Sequence, residues 1–263
     1  MNYLKTTLIT VLAIIAAASC KSQYDILLES SDIDLKYAAA FDYYEQGKFN
    51  RASKLFESLV FLTKGTAKDD TVQFYWGMSN YKLKDYFTAE TNFNQFVTNF
   101  PTSPFRNTAD FYRVDCLYKA TLRYELDQNP TYTAMSAISE YLLTCEDQER
   151  TDICNIMLQD LGERLDRRAY ENAKLYYKME DYKASNVALK NVLKDDADNI
   201  YREEILYYTA MSSYKYALLS TASKQKERYL LFIDDYLNFI GEYPESSHRK
   251  ELDSLYNKVK EKN

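Results

Sequence analysis

Residues 37–56 and 74–93 align without a gap, and this self-similarity constrains the chain more than any other feature of its sequence. The first segment runs from Tyr37 through Ala40, Phe41, Tyr44 and Gly47 to Phe56; the second runs from Phe74 through Gly77, Met78, Tyr81 and Lys84 to Phe93. Ala40 falls on Gly77, Tyr44 on Tyr81, Phe49 on Tyr86, Ala52 on Ala89 and Phe56 on Phe93. Small residues recur where the two helices of a hairpin would cross closely. Aromatics recur where the gap to a neighbouring hairpin must be filled. One hairpin cannot bury its own apolar face, so such units are stable only when stacked.

Three further units follow, a looser third, a clear fourth and a fifth from about Tyr201 to Tyr243. The third pairs a helix around Ala109 to Leu122 with one around Thr133 to Leu143, joined by Asp127-Gln128-Asn129-Pro130. The fourth carries Ala173, Tyr177, Asp181-Tyr182, Ala184-Ser185 and Leu189. The fifth closes on Tyr243-Pro244-Glu245-Ser246, as the second closes on Phe100-Pro101-Thr102-Ser103. The tail, His248 to Asn263, is mostly charged but holds Leu252, Leu255 and Val259 at helical spacing, which predicts a capping helix with one buried stripe. These units resemble the tetratricopeptide repeat, a helix-turn-helix of about 34 residues. Five glycines and four prolines are too few for the turns of a sheet protein. The expected fold is all-α: a right-handed solenoid of about five tetratricopeptide-like hairpins with a C-terminal capping helix, over residues 33–263. Asp85 and Asp181 take the same place in their repeats and are expected to cap the second helix of each hairpin.

Residues 1–19 read differently. Lys5 precedes an apolar run, Leu8 to Ile15, which passes into Ala16-Ala17-Ala18-Ser19 and stops at Cys20. These are the parts of a secretory signal. The apolar run is shorter than the roughly 20 residues of a transmembrane helix. Ala17-Ala18-Ser19-Cys20 resembles a lipobox, where the lipoprotein signal peptidase cuts before a cysteine bearing a diacylglyceryl group. That resemblance implies a mature chain that starts at an acylated Cys20, with a fatty acid such as palmitate on the new amino terminus as well. Several chains anchor firmly, because each buried methylene contributes about 0.8 kcal/mol. An ordinary secretory signal with a chance cysteine is the other reading. Residues 20–32 are expected to form the lipid anchor and linker.

A formal charge of -6 without long blocks of one sign argues against nucleic acid. Beyond Cys20 the cysteines are Cys116, Cys145 and Cys154. Export permits a disulfide. Cys145 and Cys154 flank a polar turn, Glu146 to Asp152, and could bridge two antiparallel helices; separate buried thiols are the alternative. No cysteine pair has metal-ligand spacing. His248, the one histidine, lies beside Ser246 and Ser247 and reads as exposed and structural. The carboxylate pairs Asp69-Asp70, Asp195-Asp196 and Asp234-Asp235 read as caps, turns and exposed helix faces. No nucleophile-base-orienter set and no glycine-rich phosphate loop is visible. A binding protein with no catalytic residue, metal or cofactor is expected, not an enzyme.

The repeat also indicates where a partner would bind. First-helix positions facing the concave side are Tyr37, Phe41 and Tyr44 in the first unit and Phe74, Met78 and Tyr81 in the second. Six such groups could take an extended peptide with an aromatic end, since tyrosine offers contact area at low entropic cost. An aromatic stripe at helical spacing can equally be core, packed between helices or against the segment Tyr24 to Asp32.

With the lipobox, about five hairpins and the aromatic-Pro-x-Ser closures at 100–103 and 243–246, the chain resembles the BamD-type lipoproteins of the outer-membrane-protein assembly machine. The stretch Arg164-Leu165 through Tyr176-Tyr177-Lys178 to Tyr182-Lys183-Ala184 carries the likeness most closely. The third and fourth units depart from it, ending Leu143-Thr144-Cys145 and Lys194-Asp195-Asp196 without proline. The resemblance implies a lipid-anchored protein on the periplasmic face of the outer membrane. It implies C-terminal repeats that bind the barrel insertase with its periplasmic repeat domains, beside other assembly lipoproteins. It also implies N-terminal repeats that contact unfolded outer-membrane proteins. Another periplasmic repeat adaptor, serving envelope division or pilus assembly, is a second reading. A SusD-like nutrient-binding lipoprotein is a third, although such chains are about double this length.

Overall fold

The computed structural model describes residues 23–261, among which there are twelve α-helices and no strand. Residues 1–19 and the expected lipidation site Cys20 lie outside the described residues. The helices are α1 (Gln23–Glu29), α2 (Ile33–Glu45), α3 (Phe49–Leu62), α4 (Asp69–Lys82), α5 (Tyr86–Asn99) and α6 (Arg106–Lys119). They continue as α7 (Asn129–Leu142), α8 (Gln148–Lys178), α9 (Tyr182–Asp195), α10 (Arg202–Leu218), α11 (Ala222–Glu242) and α12 (Arg249–Lys260). From α1 to α6, and again from α9 to α12, helices adjacent in sequence pack on one another as a tetratricopeptide-like stack requires. The chain divides into two compact units. Unit 1 is Met1–Thr121 with Tyr132–Asp152, and unit 2 is Leu122–Thr131 with Ile153–Asn263.

In unit 1, α2–α3 and α4–α5 are the two hairpins of the gapless alignment. Ala40, Ala52, Leu55, Phe56, Leu59 and Val72 form one buried cluster, and Phe74, Met78, Ala89, Phe93, Phe96, Ala109 and Cys116 form the next. The small residues are required by close approach. A Cβ on Gly77 would lie 2.8 Å from a ring carbon of Phe93, so the helices meet there only because that atom is missing. The turn of each hairpin needs one residue in the left-handed region. Gly47 (φ 72°) supplies it in the first hairpin and Lys84 (φ 63°) in the second.

The expected linker is partly a helix. α1 packs Tyr24, Leu27 and Leu28 against the first cluster. The Tyr24 hydroxyl donates to the Arg51 carbonyl at 3.2 Å, and the Lys36 ammonium donates to the Leu28 carbonyl at 2.9 Å. Asp32 then starts α2 by accepting from the Leu35 N–H at 3.0 Å. The sequence stretch was too short to show a helical period, and its apolar residues find their partners only in the folded hairpin.

Unit 2 repeats the plan of unit 1 with an offset of 133 residues. Tyr44 meets Tyr75 at 5.1 Å between ring centroids, and Tyr177 meets Tyr208 at 5.1 Å. Glu180 (φ 63°) takes the left-handed turn position of Gly47. Asp181 accepts from the Ala184 N–H at 3.0 Å, as Asp85 accepts from Thr88 at 3.1 Å, so both expected caps are formed. Beyond α10 the offset grows to 143, because the α10–α11 hairpin is longer than α4–α5. Leu252 and Val259 on α12 are buried where Ala109 and Cys116 stand on α6. The expected capping helix thus takes the place that α6 has in unit 1, the first helix of a further repeat. His248 is not the exposed residue expected: it is half-buried and stacked on Tyr207.

Candidate binding surfaces

The six residues of the expected groove do not line one open trough. Phe74 and Met78 are buried in the core, with Phe74 stacked on Phe105 at 4.6 Å. Tyr37, Phe41, Tyr44 and Tyr81 are half-buried. Phe41 sets its ring edge-on to Phe56 and Tyr75 at 5.1 and 4.7 Å, and Tyr44 does the same to Tyr75. Tyr37 lies under the Lys68 ammonium, 4.8 Å from its centroid. Bulky groups at helical spacing here fill the space between hairpins, which the periodicity alone could not separate from a groove.

Several polar groups are also more deeply placed than the sequence suggested. The buried Asp115 carboxylate accepts from the Tyr81 hydroxyl at 2.6 Å and from Lys119 at 2.7 Å. Burial, and next the bond to Asp115, pushes the Tyr81 hydroxyl up to about 12. In unit 2 the buried Asp235 accepts from Lys190 at 2.7 Å and from the Asn186 amide at 2.8 Å. Asp69 is buried too, and accepts from the Gly65 N–H and the Gln73 amide at 2.7 Å each. Asp69 thus holds the turn before its helix, as read, although it is buried; Asp235 is corrected from an exposed helix face to a buried carboxylate. Asp69 takes its donors from its own turn and helix, whereas Asp235 takes them from α9. Their partners are structural, and none of them faces an open cleft. Among the described residues no group of three His, Cys, Asp or Glu could hold a metal ion.

The bridge between Cys145 and Cys154 is not formed; both, like Cys116, are thiols. Cys145 lies in the turn after α7 with its sulfur 3.4 Å from the Tyr141 hydroxyl and 3.4 Å from the Asp147 carbonyl. Cys154 faces inward on α8 and is buried. Beside Cys145 unit 1 has a hollow of about 540 Å³ lined by Arg106, Asn107, Asp110, Tyr141, Thr144 and Arg150. Arg150 is fixed on its wall by the Asn107 carbonyl at 2.9 Å and the Thr108 hydroxyl at 3.0 Å.

In unit 2 a group of apolar side chains stands exposed around the α8–α9 hairpin. Leu175 and Tyr176 on the last turn of α8, Met179 just after it, and Val187 on α9 are 43–65 % exposed. Ala184, Ala188 and Asn191 floor the shallow hollows between them. Lys178, Lys183 and Lys194 stand exposed on the same two helices. Sequence reasoning missed this patch, although a signal existed. Leu175 and Met179 are four residues apart on the face opposite to the packing residues Ala173 and Tyr177.

Stacked helical hairpins with uncovered apolar and mixed-charge hollows define a repeat scaffold of the kind that holds other polypeptides. The family model described as YfiO, outer membrane lipoprotein, matches residues 30–231. The chain belongs to that family, an assignment that places it with the outer membrane. No curated protein matches it. No helix among the described residues is long and apolar enough to cross a membrane.

Proposed function

We propose that the protein is a non-catalytic lipoprotein subunit of the machinery that assembles outer-membrane barrel proteins. It is held by lipid on Cys20 at the periplasmic face of the outer membrane, after removal of residues 1–19 as a signal. The observation that carries this reading is the uncovered patch of Leu175, Tyr176, Met179 and Val187 on a chain of the outer membrane lipoprotein family. A monomer that leaves such a patch in water gains by covering it with a partner, at roughly 25 cal/mol per Å² of apolar area. The partner is the barrel insertase, through its periplasmic repeat domains. In unit 1 the rims of Tyr37, Phe41, Tyr44 and Tyr81, and the hollow beside Tyr141 and Arg150, are where an unfolded barrel segment is received.

The test is a mild-detergent pull-down of the lipidated protein, with mass spectrometry of what co-purifies. A large outer-membrane barrel with periplasmic repeat domains is the expected catch. Cell-wall, pilus or carbohydrate-uptake proteins without that barrel would move the function to another envelope role and leave the fold untouched.

A further inference from the structure

We infer that the end of the α10–α11 hairpin is a membrane contact in its own right, which docks on an anionic bilayer surface. The proposal goes beyond the assembly role and needs from it only that a bilayer be within reach, as family membership supplies. Matched through the internal repeat, α10 runs three residues further than α4, and α11 begins seven residues earlier than α5. Seven helical residues at about 1.5 Å each carry the turn about 10 Å beyond the level of its counterpart.

That extension is not padding of the core. Ala217 and Tyr229 are buried, whereas Leu218, Leu219, Ala222, Lys224 and Lys226 between them are exposed, Leu219 by 70 %. The turn is held so that the leucines stay outside. The Gln225 amide donates to the Leu218 and Ser220 carbonyls at 3.1 and 3.2 Å. The Arg228 guanidinium lies 4.0 Å over the Tyr216 ring and donates to the Ser220 hydroxyl.

Charge complementarity selects the occupant. From Lys215 to Arg228 there are four cations, Lys215, Lys224, Lys226 and Arg228, against one carboxylate, Glu227, in a chain of net charge -6. No acidic residue stands in the first turn of α11, where the helix dipole would favour one. Two adjacent leucines at a protruding turn fit a bilayer interface, with Lys226 and Lys224, the latter 3.2 Å from Glu227, exposed on the helix that follows. The leucines enter the acyl boundary while the ammonium groups remain among anionic headgroups. A partner helix would instead call for a groove. Each cation near such a surface contributes about 1 kcal/mol, enough to orient a protein already tethered by lipid.

The test is vesicle co-sedimentation of the chain from residue 20 onward with Cys20→Ser, which carries no acyl chain and keeps every described residue. The vesicles are phosphatidylcholine alone, or phosphatidylcholine with phosphatidylglycerol. The protein is expected to sediment with the phosphatidylglycerol vesicles and to be released as salt rises. A Lys224→Gln/Lys226→Gln variant should bind about thirtyfold more weakly, the product of two such cation contributions. A Leu218→Ser/Leu219→Ser variant should also lose binding, with an unchanged thermal melt. Failure of the parent chain to sediment, equal sedimentation with both vesicles, or variants that bind like the parent would overturn the proposal. The first outcome would leave the tip to an acidic protein. Because the vesicles contain no protein, none of these results bears on insertase binding.

Discussion

Tyr207 lies face to face on His248, with ring centroids 4.0 Å apart and planes 18° apart, in the place where Phe74 lies on Phe105 at 4.6 Å and 14°. The contact joins the first helix of one hairpin to the start of the next in both units. Flatness at the second position matters more than charge or polarity. His248→Phe should therefore fold with unchanged or higher stability. His248→Ala should lose about 1 kcal/mol, the usual worth of a ring pair beyond its area. Urea denaturation of the two variants checks this; equal losses would show that the stack contributes nothing.

Asp235 is buried with Lys190 and Asn186, and Asn92 occupies its place in unit 1, where it accepts from the Asn80 amide at 2.8 Å. Lys190→Met leaves the carboxylate without its cation. The expected loss is about 2 kcal/mol, below the 3–5 of a fully enclosed pair because the ammonium is half in water. Adding Asp235→Asn to Lys190→Met removes the orphaned charge and should recover part of that loss. A double variant less stable than the single would contradict this placement.

Glu180 and Lys84 hold left-handed turns at φ 63°, where Gly47 stands in the first hairpin. Side chains cost about 1–2 kcal/mol there, and glycine returns roughly 0.5–1 of this as unfolded-state entropy. Glu180→Gly and Lys84→Gly should each raise stability by about 0.5 kcal/mol, and Gly47→Ala should lower it by about 1. Thermal or urea midpoints of the three variants give the signs.

Alkaline pH should unfold the protein through its tyrosines. Tyr44, Tyr81 and Tyr236 are each pushed from 10.0 up to about 12, burial being the largest cause in all three. Hydrogen bonds to Asp115 and Asp253 add to it for Tyr81 and Tyr236. The folded state holds these protons more tightly than the unfolded state does. The stability they confer is therefore complete below pH 10 and is lost as pH climbs to about 12. The urea midpoint should fall across that window, and Tyr81→Phe should lessen the slope. A flat midpoint would remove tyrosine burial from the explanation.

Much of the fold was legible because the repeat ties identity to position. Small residues at Ala40, Ala52 and Gly77, aromatics at Phe56 and Phe93, and caps at Asp85 and Asp181 each have one structural use. The surfaces were less legible. Periodicity marks a stripe as apolar without saying whether a neighbouring helix covers it, so the sequence leaves Phe74 and Met78 open between groove and core, and the fold buries both. The same ambiguity hid the patch at Met179, which lies on the face that no neighbour covers. Buried Asp235 depends on Lys190 and Asn186 of another helix, contacts that only the folded chain brings together.

The proposed assembly role is tested most directly by a photo-crosslinking amino acid placed at Met179, the most exposed residue of the apolar patch, in the lipidated protein in living cells. Crosslinks from that position to the periplasmic repeat domains of an outer-membrane barrel are expected, with none from an exposed control such as Glu57. Crosslinks from position 179 only to cell-wall, pilus or uptake proteins would contradict the role.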